Sequence, residues 1–112
     1  MKHRSLLLLG ALSLALSAES ARALDLKEYW VKNCAQCHGP DGKGQTKMGK
    51  KLNVVDLTDA KIQEKYTDEQ MFTTIKEGVK DNEGKVRMKP AAGVTDGEVK
   101  TLVAYVRTLK GQ

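Results

Sequence analysis

Aromatic side chains are scarce in this 112-residue chain, which has one Trp, one Phe and three Tyr. A domain this short buries a small fraction of its surface, so a core this thin calls for reinforcement by disulfides, a metal or a cofactor. Cysteine is scarce as well. Two cysteines rule out a disulfide framework, and a four-ligand zinc site would have to use Cys34, Cys37, His38 and the N-terminal His3 together. No apolar run reaches the roughly 20 residues that span a bilayer. Internal repeats, low-complexity tracts and composition breaks are also missing, so nothing marks a second domain, and no platform for stacking nucleic-acid bases is evident.

The longest apolar stretch, Leu6 to Leu16, follows Lys2, His3 and Arg4 and precedes the small-x-small sequence Ala21-Arg22-Ala23. That order is the pattern of a secretory signal peptide over residues 1–23, with cleavage after Ala23, and Ser13 and Ser17 argue against a membrane anchor. Residues 24–112 are then one soluble domain. Losing Lys2, Arg4 and Arg22 together with Glu19 takes the formal charge from +5 to a mild +3. A bacterial periplasm is the expected location.

Into that exported domain falls Cys34-Ala35-Gln36-Cys37-His38. On a helical turn residues i and i+3 share a face, so both thiols point the same way and can add to the two vinyl groups along one side of a haem. His38 is then placed beneath the iron as the proximal ligand. A thioredoxin-like dithiol would need a βαβ pattern around the motif, which is absent, and a disulfide between residues three apart would contribute little. One covalently attached haem c also supplies the apolar area that the composition lacks.

Helical periodicity predicts three main segments. Asp25 to about Cys37 carries Leu26, Trp30, Val31 and Cys34 at helical spacing and leads into the haem motif. Thr67 and Gln70 form a capping box ahead of a stripe of Met71, Phe72, Ile75 and Val79, with Gly78 near its end. Thr95 and Glu98 form a second box, followed by Val99, Leu102, Val103, Val106 and Leu109, and Lys110 and Gly111 close that helix. A shorter helical turn over Asp59 to Lys65, capped by Thr58, is expected between them. Gly39-Pro40-Asp41-Gly42-Lys43-Gly44 forces a sharp bend after His38, and Asp81-Asn82-Glu83-Gly84 forms another turn. Lys85 to Pro90 is expected to be extended, since Lys89 precedes a proline.

With the signal peptide gone, His38 is the one remaining histidine, and methionine becomes the leading candidate for the sixth position on the iron. Met71 sits on an apolar helical stripe, where packing is its expected role. Met48 lies in a Lys-rich loop ten residues from His38, whereas Met88 follows fifty residues after His38, just before the last helix. Closing a flexible loop of that length costs on the order of 3–4 kcal/mol, so packing of the first helix on the last, with Trp30 against Leu102, Val103 and Val106, must bring Met88 into place.

Trp30, Cys34-x-x-Cys37-His38, Gly39-x-Asp41-Gly42-x-Gly44, Met88-x-Pro90 and Leu102-Val103-Ala104-Tyr105-Val106-Arg107 occur here in an order that resembles the small monohaem class I cytochromes c of bacteria. The resemblance covers essentially all of residues 24–112. It implies an all-α cytochrome c fold in which N- and C-terminal helices cross, with a middle helix and a short helical turn around one haem. It further implies thioethers at Cys34 and Cys37, axial ligation by His38 and Met88, and Trp30 with Tyr105 at the helix crossing. Lys89 stands where many relatives place the proline directly after the methionine, and Ala91-Ala92 replace a common aromatic. No proline follows Gly44 in its loop to orient the proximal histidine, so the acceptor for the His38 ring is left open.

The activity so implied is one-electron transfer between larger redox complexes by a monomer that performs no bond chemistry of its own. Lys43, Lys47, Lys50 and Lys51, joined by Lys85, Arg87 and Lys89, are candidates to steer docking onto acidic partner proteins. The alternative is a five-coordinate haem c protein acting as a gas-binding sensor or weak peroxidase, against which stands the lack of a second histidine for acid or base work.

Overall fold

The computed structural model describes Gly10 and residues 24–112, so the expected signal peptide lies, apart from Gly10, outside the described residues. Asp25 caps the first helix, α1 (Leu26–Asn33), by accepting the Glu28 amide at 3.1 Å. The chain then departs from the continuous helix that the periodicity predicts. Cys34 takes φ −121° and ψ −38°, and a separate short helix, α2 (Ala35–His38), follows. The Cys34 amide still bonds to the Trp30 carbonyl at 2.9 Å, but the helical ladder resumes only with the Cys37 and His38 amides returning to the Cys34 carbonyl. This kink re-aims the motif relative to α1.

Gly39, Gly42 and Gly44 all take positive φ and turn the chain back into α3 (Lys47–Leu52). Met48 therefore sits on a helix, where a loop was expected, because Thr46 caps this stretch by accepting the Gly49 amide at 2.8 Å. The expected short helical turn is α4 (Ala60–Lys65), but its cap is Asp59, which accepts the Lys61 amide at 2.8 Å. Thr58 is buried instead and spends its hydroxyl on Asp56 at 2.6 Å.

Both capping boxes form as the sequence predicts, opening α5 (Asp68–Glu77) and α6 (Asp96–Thr108). The apolar stripe of α5 is shorter than expected. Gly78, at φ +74°, stops the helix, and Val79 leaves its face to lie exposed in β1 (Val79–Lys80). Residues 81–84 make the expected turn, and β2 (Val86–Met88) returns antiparallel, pairing Met88 with Val79. Apart from this two-stranded ladder the described architecture is helical.

The core gathers Trp30, Met71, Val103, Val106 and Leu109, with Phe72, Ile75, Tyr66 and Tyr105 packed around it. The helix crossing is made by rings: Trp30 and Tyr105 have centroids 5.2 Å apart at 58°. Leu102 is buried at 2 % exposure, but on the neighbouring flank of α6 and outside this cluster, since one residue step turns a helix by about 100°. Met71 takes the packing role expected of it.

Arg107 locks α6 to α4. Its guanidinium donates to the Tyr66 carbonyl at 2.7 Å, to the Gln63 side-chain oxygen at 3.0 Å, to the Gln63 carbonyl, and to Asp68 at 2.7 Å. Gln63, itself buried, donates to the carbonyls of Leu57 and Val106 at 2.6 and 2.9 Å. Arg107→Ala should cost about 2 kcal/mol in urea denaturation, because it leaves partly buried acceptors unpaired. Asp68→Ala, which removes only a solvent-exposed carboxylate, should cost under about 1 kcal/mol in the same measurement.

Candidate haem site

The site is built outward from Trp30. This residue is 4 % exposed, and its indole N–H donates to the Gly39 carbonyl at 2.8 Å, one residue beyond His38. The same ring lies 5.9 Å from the His38 ring at 39°. The indole thus fixes the backbone after the motif while its faces meet His38 and Tyr105.

A second restraint comes from α3. The Thr46 hydroxyl donates to the Cys37 carbonyl at 2.8 Å. Gly49 lies against α2 so closely that a Cβ there would overlap the carbonyl oxygens of Gly44 and Cys37. Only a residue without a side chain lets α3 approach the turn that carries the cysteines. Sequence reasoning passed over this pair; a glycine inside a run of lysines at helical spacing was the available signal.

Cys34, Cys37 and His38 are brought together on this one turn. Both cysteines are unpaired and partly buried. Burial pushes the Cys34 thiol up to about 11, so the haem-free group stays protonated at neutral pH. Burial also lowers the His38 pKa, which keeps the imidazole neutral with a lone pair available to a metal. Nδ1 is buried without a hydrogen-bond partner among the described residues.

Met88 lies on a different element, half-buried at the end of β2. The hairpin is not free of the motif, however. Arg87, the preceding residue, donates to the Leu52 carbonyl at the end of α3, the same helix that Gly49 presses against Cys37. Further along, Tyr29 on α1 donates its hydroxyl to the Ala92 carbonyl at 2.9 Å.

Two thiols and a neutral imidazole on one helical turn, with a methionine on a hairpin tied to the end of α3, are donors of the types that attach a porphyrin by thioethers and ligate its iron. The family model for cytochrome c matches residues 26–110. This chain belongs to the cytochrome c family. Among solved structures it is similar to the c-type cytochrome KustC0563, at 35 % identity and a TM-score of 0.65, covering 78 % of this chain and 99 % of that one. A tyrosine-to-phenylalanine mutant of the same cytochrome matches at 35 % identity and a TM-score of 0.63, covering 78 % and 100 %. A search of curated proteins finds no match.

The fold is accordingly the all-α cytochrome c fold, and its cofactor is covalently bound haem c, with Cys34 and Cys37 in the attachment motif. The close approach at Gly49 carries a measurable cost. Gly49→Ala should lose about 1–3 kcal/mol of stability by overpacking the α2–α3 contact. Gly97→Ala, in a helix where the new methyl would meet only the Thr95 hydroxyl at an ordinary 3.8 Å, should be neutral or stabilising by about 0.5–1 kcal/mol. Thermal unfolding of the two haem-loaded variants compares them directly.

Proposed function

We propose that this cytochrome is a periplasmic one-electron carrier, exported by a signal peptide over residues 1–23 and active as a monomeric domain of residues 24–112. Cys34 and Cys37 hold the haem by thioethers, His38 is the proximal ligand and Met88 the distal one. The observation that carries this reading is the double role of α3. It presses on the Cys37 carbonyl through Gly49 and Thr46, and at its far end it receives Arg87, next to Met88. One helix therefore sets the spacing between the two ligand-bearing segments.

When bound, the haem supplies an iron centre that takes up and releases a single electron, with a potential raised by a His and Met ligand pair. The chain's own residues orient and insulate. Trp30 shields the inner face of His38, and its bond to Gly39 fixes the histidine's backbone. Met71, Val103 and Val106 exclude water from the core behind it. Electron transfer asks nothing more of these residues than orientation and insulation, in keeping with a protein that performs no bond chemistry of its own.

Recognition of partners falls to the lysines. Lys47, Lys50 and Lys51 are exposed on α3, Lys43 is half-buried before it, and Lys85 and Lys89 flank Arg87 on the hairpin. Because Arg87 bonds to Leu52, the two groups converge at one edge, a surface suited to acidic redox partners whose association weakens as salt rises.

Two measurements test these assignments. The ferric protein should show the near-infrared charge-transfer band of methionine sulfur on iron, lost in Met88→Ala and kept in Met48→Ala and Met71→Ala. A high-spin ferric spectrum in the unmodified protein would instead favour the gas-binding or peroxidase alternative. Protein purified from the periplasm of a haem-ligating host should begin at Leu24 by intact-mass measurement, and an uncleaved N-terminus would sink the export reading.

A further inference from the structure

The backbone from Met88 to Ala92 runs across the end of α5 and is stitched down at several points. The Ala91 amide donates to the Ile75 carbonyl at 2.9 Å, in the last turns of that helix. Gly78 follows at the helix end with φ +74° and ψ −171°. A Cβ there would overlap the Met88 carbonyl oxygen and lie 2.8 Å from the Pro90 nitrogen and 2.9 Å from its Cδ. Two independent requirements therefore exclude a side chain at Gly78, namely the left-handed backbone and the passing strand. On the other flank the Tyr29 hydroxyl reaches from α1 to the Ala92 carbonyl at 2.9 Å.

We propose that Gly78 and Tyr29 are positioning residues for the distal ligand. Gly78 leaves the space through which the Met88–Pro90 backbone passes, and Tyr29 clamps that segment four residues after the methionine. Neither offers an atom to the iron; each limits how far and how often the segment lifts. The assignment rests on Met88 being the distal ligand and deepens that reading. Tyr29 stands next to Trp30 in α1, so consecutive aromatic residues tether the segment after His38 and the segment after Met88. Helix α1 thereby couples the two sides of the site through two hydrogen bonds.

Imidazole added to the ferric holoprotein reports the lifted state, because it binds iron only when the methionine is away, and its apparent affinity scales with the population of that state. Tyr29→Phe keeps the ring and removes one hydrogen bond, so it should raise imidazole affinity about fivefold while the near-infrared band persists. Gly78→Ala should raise it by at least about tenfold and weaken the band. Arg107→Ala, which loosens α4 and α6 away from this segment, should lower the unfolding midpoint and leave imidazole affinity unchanged.

Each residue is judged by its own variant, and wild-type affinity with an intact band in that variant overturns its role. Equal gains in Arg107→Ala would assign the effect to global stability and overturn both roles. Should Gly78→Ala fail to accumulate haem-loaded protein, wild-type imidazole affinity in Tyr29→Phe overturns the proposal as a whole. Retention of the band in Met88→Ala is a different failure, one that removes the ligand assignment itself.

Discussion

The hydrogen bond from the buried Trp30 indole to the Gly39 carbonyl is the constraint on which the rest of the site depends. A buried indole N–H without a partner is costly, and here the partner is the backbone immediately after the motif. The bond therefore cannot form unless α2 has turned and the glycine loop has begun. The ring faces are committed as well, one neighbour being His38 and another Tyr105. Helix crossing, motif orientation and histidine placement all draw on this one side chain, which helps a chain with so few aromatics build a defined interior.

The protein's own buried apolar set is short: Trp30, Met71, Val99, Leu102, Val103, Val106 and Leu109. For a domain of this size such a set leaves little surplus over conformational entropy. Polar locks compensate at the periphery, chiefly Arg107 with Gln63, Tyr66 and Asp68. They sit on the α4–α6 side, away from the motif. The covalently bound haem completes the interior on the motif side, so cofactor and polar network reinforce different halves of the same small fold.

What was legible in the sequence follows from the range of the forces involved. The capping boxes at Thr67 and Thr95 are local, three residues across, and they formed as read. The cytochrome attachment motif was legible for the same reason. The exceptions each involve a competing partner distant in sequence or a backbone choice. Thr58 lost the cap to Asp59 because its hydroxyl satisfies Asp56 in a buried site and its carbonyl accepts the Gly111 amide. Val79 fits a helical stripe, but the positive φ of Gly78 ends the helix first and hands Val79 to a strand whose partner is Met88. The kink at Cys34 interrupts a periodicity that the side chains alone would continue. The lysine run around Gly49 hinted at a helix, but not at the contact, which is with the carbonyl of Cys37, twelve residues earlier and on another helix.

With His38 and Met88 as the proposed axial ligands, these long-range contacts divide the site into two mechanically different sides. On the proximal side the thioether positions and His38 lie within five consecutive residues, restrained by a buried indole and by a helix packed at backbone contact. On the distal side the methionine sits in a two-stranded ladder with a bulge, held by a few separate bonds to α1, α3 and α5. Each such bond is worth about 1 kcal/mol, and a two-stranded hairpin is marginal by itself. Under the proposed ligation, loss of one tether should change the balance at Met88 more than at His38, whose restraints are shared with the core. An electron carrier benefits from restraint on both sides, since small rearrangement keeps the cost of changing oxidation state low. Here that restraint is built from covalent geometry on one side and from the sum of several weak contacts on the other, with α1 bonded to both through Trp30 and Tyr29.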